Sequence, residues 1–156
     1  MKIKTILLLA ALTASFSACK KNKSVDVEAQ FKADTIAIRN YVTTNNIAVE
    51  KTATGIFYQK ILAGTGSVNY TKSTQISADY QGKILGGAIF DDSKGTAISF
   101  PLGNVIEGWQ IGIPLIQKGG KIRLFIPSYY GYGPSGNGPI PANAVLDFTI
   151  TLVDAQ

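Results

Sequence analysis

Leu146-Asp147-Phe148-Thr149-Ile150-Thr151-Leu152 alternates apolar and polar side chains without a break, and Val145 and Val153 flank it. A period of two places Leu146, Phe148, Ile150 and Leu152 on one face of a strand. So clean an alternation predicts an antiparallel sheet with one buried and one wet face. The same period returns upstream in Lys121-Ile122-Arg123-Leu124-Phe125-Ile126, in residues 97–102, in residues 74–82 and in residues 54–62. Gly64-Thr65-Gly66 closes the last of these, and Gly86-Gly87 marks a turn before Ala88-Ile89-Phe90. Residues 106–113 have room only for a short helix, Gly119-Gly120 is a turn, and the Gly- and Pro-rich residues 128–144 read as a long surface loop. Several strands around one short helix make the fold class α+β.

Upstream of the strands the period changes. Phe31, Thr35, Ile38 and Val42 lie on one face of a helix spanning residues 28–48, with Ile36, Tyr41 and Ile47 widening the stripe and Asn45-Asn46 stopping it. This helix either packs on its own domain or presents a small dimerisation or client-contact surface, so the expected assembly is a monomer or a weak dimer. No Pro- or Ser-rich linker separates it from the domain at residues 49–156.

The first 18 residues read as an address. Lys2 and Lys4 precede the apolar run of residues 6–12, and small residues precede Cys19, which is the pattern of a secretory signal peptide. Phe16-Ser17-Ala18-Cys19 resembles a bacterial lipoprotein signal, and Cys19 is the only cysteine of the chain. That makes Cys19 the expected lipidation site, residues 19–27 a polar tether, and the cell envelope, at the periplasmic face of the outer membrane, the expected location. The alternative is ordinary cleavage near Ala18, leaving a free thiol.

Composition narrows the chemistry. The chain has 156 residues and no histidine, which removes a Ser-His-Asp triad, a Cys-His pair and His-ligated metal sites. One cysteine cannot form a disulfide within the chain. The formal charge of +5 arises from five lysines in the first 23 residues, whereas residues 24–156 carry 10 basic and 10 acidic groups. A folded body without net charge does not fit nucleic-acid binding. No cofactor is expected.

Asp79-Tyr80-Gln81-Gly82, Phe90-Asp91-Asp92-Ser93, Val105-Ile106-Glu107-Gly108-Trp109, residues 126–133 (Ile-Pro-Ser-Tyr-Tyr-Gly-Tyr-Gly) and Pro139-Ile140-Pro141-Ala142-Asn143-Ala144 follow one another in that order, ahead of Leu146-Asp147-Phe148. Together they resemble the FKBP-type peptidyl-prolyl cis-trans isomerases, in particular the bacterial exported members. The resemblance implies a five- or six-stranded antiparallel sheet curled around the short helix, with a hydrophobic pocket between them. Tyr80, Asp91, Ile106 and Tyr132 are then the catalytic candidates, and Phe90, Ile98, Val105, Trp109, Ile140 and Phe148 the substrate-binding ones. Trp109 would form the floor beneath a proline ring, and residues 133–141 a mobile flap. The implied partners are proline-containing segments of exported polypeptides, and a macrolide inhibitor in the same pocket. A non-catalytic proline-binding or holdase lipoprotein would use the same pocket. Apart from the resemblance, Phe90, Trp109 and Phe148 read equally well as core, Tyr80 and Tyr132 as amphipathic surface aromatics, and Asp91-Asp92 as a turn pair.

Overall fold

The computed structural model describes residues 26–156. The expected signal peptide, Cys19 and the lysines of the tether lie outside the described residues. Helix α1 (Val27–Thr44) opens on Asp26, whose carboxylate accepts the Ala29 N–H. Seven strands follow: β1 (Glu50–Lys51), β2 (Phe57–Leu62), β3 (Gln75–Ile84), β4 (Ile89–Asp92), β5 (Ile98–Pro101), β6 (Lys121–Ile126) and β7 (Leu146–Ala155). The short helix α2 (Glu107–Gly112) lies between β5 and β6. The sheet runs β1-β2-β6-β7-β3-β4, and β5 pairs with the other half of β3 beyond the β4–β5 turn. Every pairing is antiparallel. The curled antiparallel sheet around a short helix is therefore present, its strand count raised to seven by the two-residue edge strand β1.

The concave face is built from residues of alternate parity. Ile122 faces Ile150, Leu124 faces Phe148 and Ile126 faces Leu146 across β6 and β7, and all six are buried. Helix α2 closes this face. A Cβ on Gly108 would stand 2.5 Å from Ile126 Cγ2, and one on Gly112 would stand 2.4 Å from Leu124 Cδ1. The helix can approach the sheet this closely only because both positions lack a side chain.

The convex face is not simply wet, as alternation alone suggested. Ile38 and Val42 of α1 pack there against Phe57, Phe125 and Val145 in a second buried cluster. Asp147 is on this face too, 4% exposed, where Arg123 donates to it twice, at 2.8 and 2.7 Å. The buried positions of α1 are Asp34, Ile38 and Val42, while Ile36, expected to widen the apolar stripe, is exposed. A helix seated on a sheet buries a narrow stripe, and Ile36 falls outside it. Residues 128–144 also carry more structure than the expected open loop, with 3₁₀ turns at Ser128–Tyr130 and Gly133–Ser135 and a two-residue bridge between Asn137 and Ile140.

The contact of α2 with the sheet gives a stability prediction. An exposed helical Gly→Ala change gains up to about 1 kcal/mol. Gly112→Ala should instead lose about 1–3 kcal/mol, because the new methyl overlaps the fully buried Leu124. Urea denaturation measures the sign, and unchanged or increased stability would contradict the close contact.

Candidate functional site

A cleft of about 250 Å³ opens between the concave face and α2, lined by Tyr80, Asp91, Phe100, Asn104, Val105, Ile106, Trp109, Tyr132 and Phe148. Its centre is aromatic. Trp109 meets Tyr80 edge-to-face at a centroid distance of 5.1 Å and Phe148 at 5.3 Å, with Phe100 at 6.0 Å. Such T-shaped contacts each add about 0.5–1.5 kcal/mol to the burial of the rings. Gly82 lies beneath the wall, where a Cβ would stand 2.6 Å from Phe148 and 2.7 Å from Phe90.

The polar groups sit on the rim. Tyr80 donates its hydroxyl to Asp91 Oδ2 at 2.7 Å, and the Asp92 N–H donates to Asp91 Oδ1 at 2.9 Å, so the carboxylate has a fixed direction. Asp91 lies on β4, paired with Gly82 of β3, and the turn after β4 is tied to β3 as well. The Tyr80 N–H donates to Ser93 Oγ at 2.8 Å, the Ser93 hydroxyl donates to Asp79, and the Gly95 N–H reaches the same Asp79 oxygen at 3.2 Å. On the opposite rim, Gln110 donates to the Val105 carbonyl at 2.8 Å, fixing the entry to α2. Ile106 is extended there, and its carbonyl accepts the Trp109 N–H. Among the described residues its own N–H has no acceptor within the chain.

Both rim tyrosines resist ionisation. Loss of water pushes the Tyr80 hydroxyl well above the ordinary value of 10.0, and the hydrogen bond to Asp91 adds to it. Tyr132 is raised by burial and by the Asp91 charge, against a smaller opposing hydrogen bond from Asn137. Each therefore remains a donor throughout the neutral range.

The cleft brings together seven of the ten residues expected from the sequence: Tyr80, Asp91, Val105, Ile106, Trp109, Tyr132 and Phe148. The other three lie elsewhere. Phe90 stands behind the wall, edge-on to Phe148 at 5.4 Å. Ile140 is 5% exposed and packs into the core beneath its bridge to Asn137. Ile98 is 42% exposed, because it is the first residue of β5, where pairing with β3 only begins. Phe100, two residues on and on the same strand face, takes the wall position, with Tyr80 at 6.3 Å. The alternation of Ile98 and Phe100 was the available signal for it. Asn104 carried none. Asp79 and Ser93 stood in the motifs without a role, and the structure makes them the tie between β3 and the turn after β4. No group of three or more acidic, cysteine or histidine side chains suited to a metal ion occurs among the described residues.

The family model for FKBP-type peptidyl-prolyl cis-trans isomerases matches residues 66–153, more than half of the chain. The chain belongs to this family. It is 43% identical over 110 residues to the FKBP-type peptidyl-prolyl cis-trans isomerase FkpA of Buchnera aphidicola, covering 69% of this chain and 44% of that relative. For the FkpA of Escherichia coli the identity is 39%, over 69% of this chain and 40% of the relative. The chain thus spans less than half the length of these relatives. The crystal structure of Escherichia coli FkpA superposes with a TM-score of 0.70 at 33% identity, over 83% of this chain and 64% of the other. A peptidyl-prolyl cis-trans isomerase from Pseudomonas syringae gives 0.68 at 31% identity, over 83% of this chain and 95% of the other.

The tyrosine environment gives the second prediction. Ultraviolet titration should show a tyrosine fraction ionising only above the ordinary range, reduced in Tyr80→Phe and in Tyr132→Phe. Folded-state values above the unfolded value of 10.0 mean that the unfolded chain loses these protons first. The contribution of these two groups to stability is thus fully present below pH 10.0 and should be lost as the pH rises beyond it. A single titration at the ordinary value would contradict the described cleft.

Proposed function

We propose that the chain is a peptidyl-prolyl cis-trans isomerase, accelerating rotation about X–Pro bonds in exported polypeptides. The observation that carries the reading is the aromatic cleft built around Trp109, with Tyr80, Asp91 and Tyr132 supplying hydrogen-bonding groups to its lining. The reaction transfers no group. Its barrier, about 18–20 kcal/mol, is the loss of amide resonance as the C–N bond twists. The planar amide is the more polar form and is held by water at its carbonyl. An apolar cleft removes that water and favours the twisted form.

In this mechanism the proline ring lies on Trp109, between Tyr80, Phe100 and Phe148. The Ile106 N–H and the Tyr132 hydroxyl hold carbonyls of the substrate as the bond turns. Asp91, aimed by Tyr80, supplies fixed charge at the wall and exchanges no proton with substrate. A barrier lowered by about 7 kcal/mol corresponds to roughly 10⁵-fold acceleration. A macrolide inhibitor would occupy the same cleft.

The experiment is cis-to-trans relaxation of an X–Pro tetrapeptide with the full chain in detergent. Wild type should accelerate it, and Asp91→Ala and Tyr132→Phe should each lose roughly tenfold or more while remaining folded. No acceleration for several residues X would sink the enzyme reading and leave a proline-binding or holdase module.

We further propose that the protein acts at the cell envelope, lipid-anchored through Cys19 and facing the periplasm from the outer membrane. The order of basic start, apolar run and small residues before the only cysteine supports this. No helix among the described residues is long and apolar enough to cross a membrane. Cys19→Ala should move the protein from the membrane fraction of a bacterial host to the soluble fraction. Unchanged fractionation would refute the anchor.

A further inference from the structure

No residue of α1 borders the cleft, yet one of its side chains holds the segment that carries Tyr132. Asp34 is 3% exposed. Its Oδ2 accepts the Ser128 N–H at 2.8 Å and the Ser128 hydroxyl at 2.6 Å, and its Oδ1 accepts Gln30 Nε2 at 2.7 Å. A carboxylate taken this far out of water persists only when its oxygens are hydrogen-bonded in this way. Beside it, Ile38 and Val42 supply the apolar contact of the helix with the sheet.

Ser128 begins the tight turn that delivers Tyr132. The Pro127 carbonyl accepts the Tyr130 N–H and the Ser128 carbonyl accepts the Gly131 N–H, both at 3.0 Å. Tyr132 is the next residue. Just past it, the Asn143 N–H donates to the Gly133 carbonyl at 2.9 Å. The turn is braced by Phe31 of α1, edge-on to Tyr130 at 6.0 Å, and by the Tyr130 hydroxyl donating to the Thr54 carbonyl at 3.1 Å. A continuous set of bonded groups therefore runs from Asp34 to the residue before Tyr132.

We propose that Asp34 is a positioning residue for Tyr132, so that helix α1 sets the hydroxyl that holds the substrate carbonyl. The inference rests on the isomerase reading for its effect on rate, though not for the geometry. Small displacements of a positioning group change rates by large factors, and residues acting through one another give non-additive losses.

The test is a double-mutant cycle in the full chain with Asp34→Ala and Tyr132→Phe, read by X–Pro relaxation and by NMR of the Tyr132 ring and the Trp109 indole. Asp34→Ala should slow relaxation about tenfold in the wild-type background. In the Tyr132→Phe background its effect should stay within about twofold. The Tyr132 ring signals should shift while the Trp109 indole signal stays in place. Equal losses in both backgrounds, or unmoved Tyr132 signals, would overturn the proposal. Should Asp34→Ala fail to fold, Ser128→Ala removes only the hydroxyl bond, and the same non-additivity and ring shift are expected at smaller amplitude. If wild type does not accelerate relaxation, the isomerase reading falls, and the Tyr132 ring shift alone decides whether Asp34 positions it.

Discussion

The structure depends on how closely α2 lies against the concave face. A helix of six residues has no stability of its own, since nucleation costs more than so few hydrogen bonds return. It persists because Gly108 and Gly112 bring its axis down onto Ile126 and Leu124, and because Trp109 is buried there among aromatic rings. The same contact defines the cleft. It places the indole against Tyr80, Phe100 and Phe148, and it leaves the Ile106 N–H at the helix entry without an acceptor among the described residues. Floor, walls and one rim donor all follow from one helix–sheet distance.

The sheet transmits order to the remaining rim. β3 and β7 are its two longest strands and pair along most of their length, so Tyr80 and Phe148 are held by the most extended pairing in the sheet. Asp91 lies on the short strand β4, and Asp79 and Ser93 tie the turn that follows it back to β3 beside Tyr80. On the convex side the Arg123–Asp147 pair and the apolar residues of α1 stiffen β6 and β7 from behind. Cleft residues thus come from separate parts of the chain, yet each is held by backbone or by a bonded side chain. This is what a site that works by shape requires.

The parts of this arrangement legible in the sequence were those with a period or an ordered motif. The alternation in residues 146–152 gave β7 and its inward face. The ordered motifs gave Tyr80, Asp91, Val105, Ile106, Trp109, Tyr132 and Phe148. What failed to show depended on contacts between distant segments. Asp34 sits one helical turn before Ile38 and is indistinguishable in sequence from a solvated helix acid; only the fold brings Ser128 to it. Ile98 and Phe100 share a face, and only the fold shows that Phe100 packs against Tyr80 and Trp109 while Ile98 stays exposed. The covering of the convex face by α1 likewise leaves no mark in the β7 alternation, because Asp147 is polar there for a partner, Arg123, and not for water.

One buried polar atom stands apart from this pattern of satisfied groups. Trp109 Nε1 has no hydrogen-bond partner among the described residues. An unmet buried donor costs about 1–3 kcal/mol. Three rings surround the indole at 5.1–6.0 Å in edge-to-face arrangements. At about 0.5–1.5 kcal/mol each, those contacts are of the size needed to offset the unmet donor. On the proposed mechanism the floor must stay apolar, and an indole packed among three aromatic rings meets that requirement.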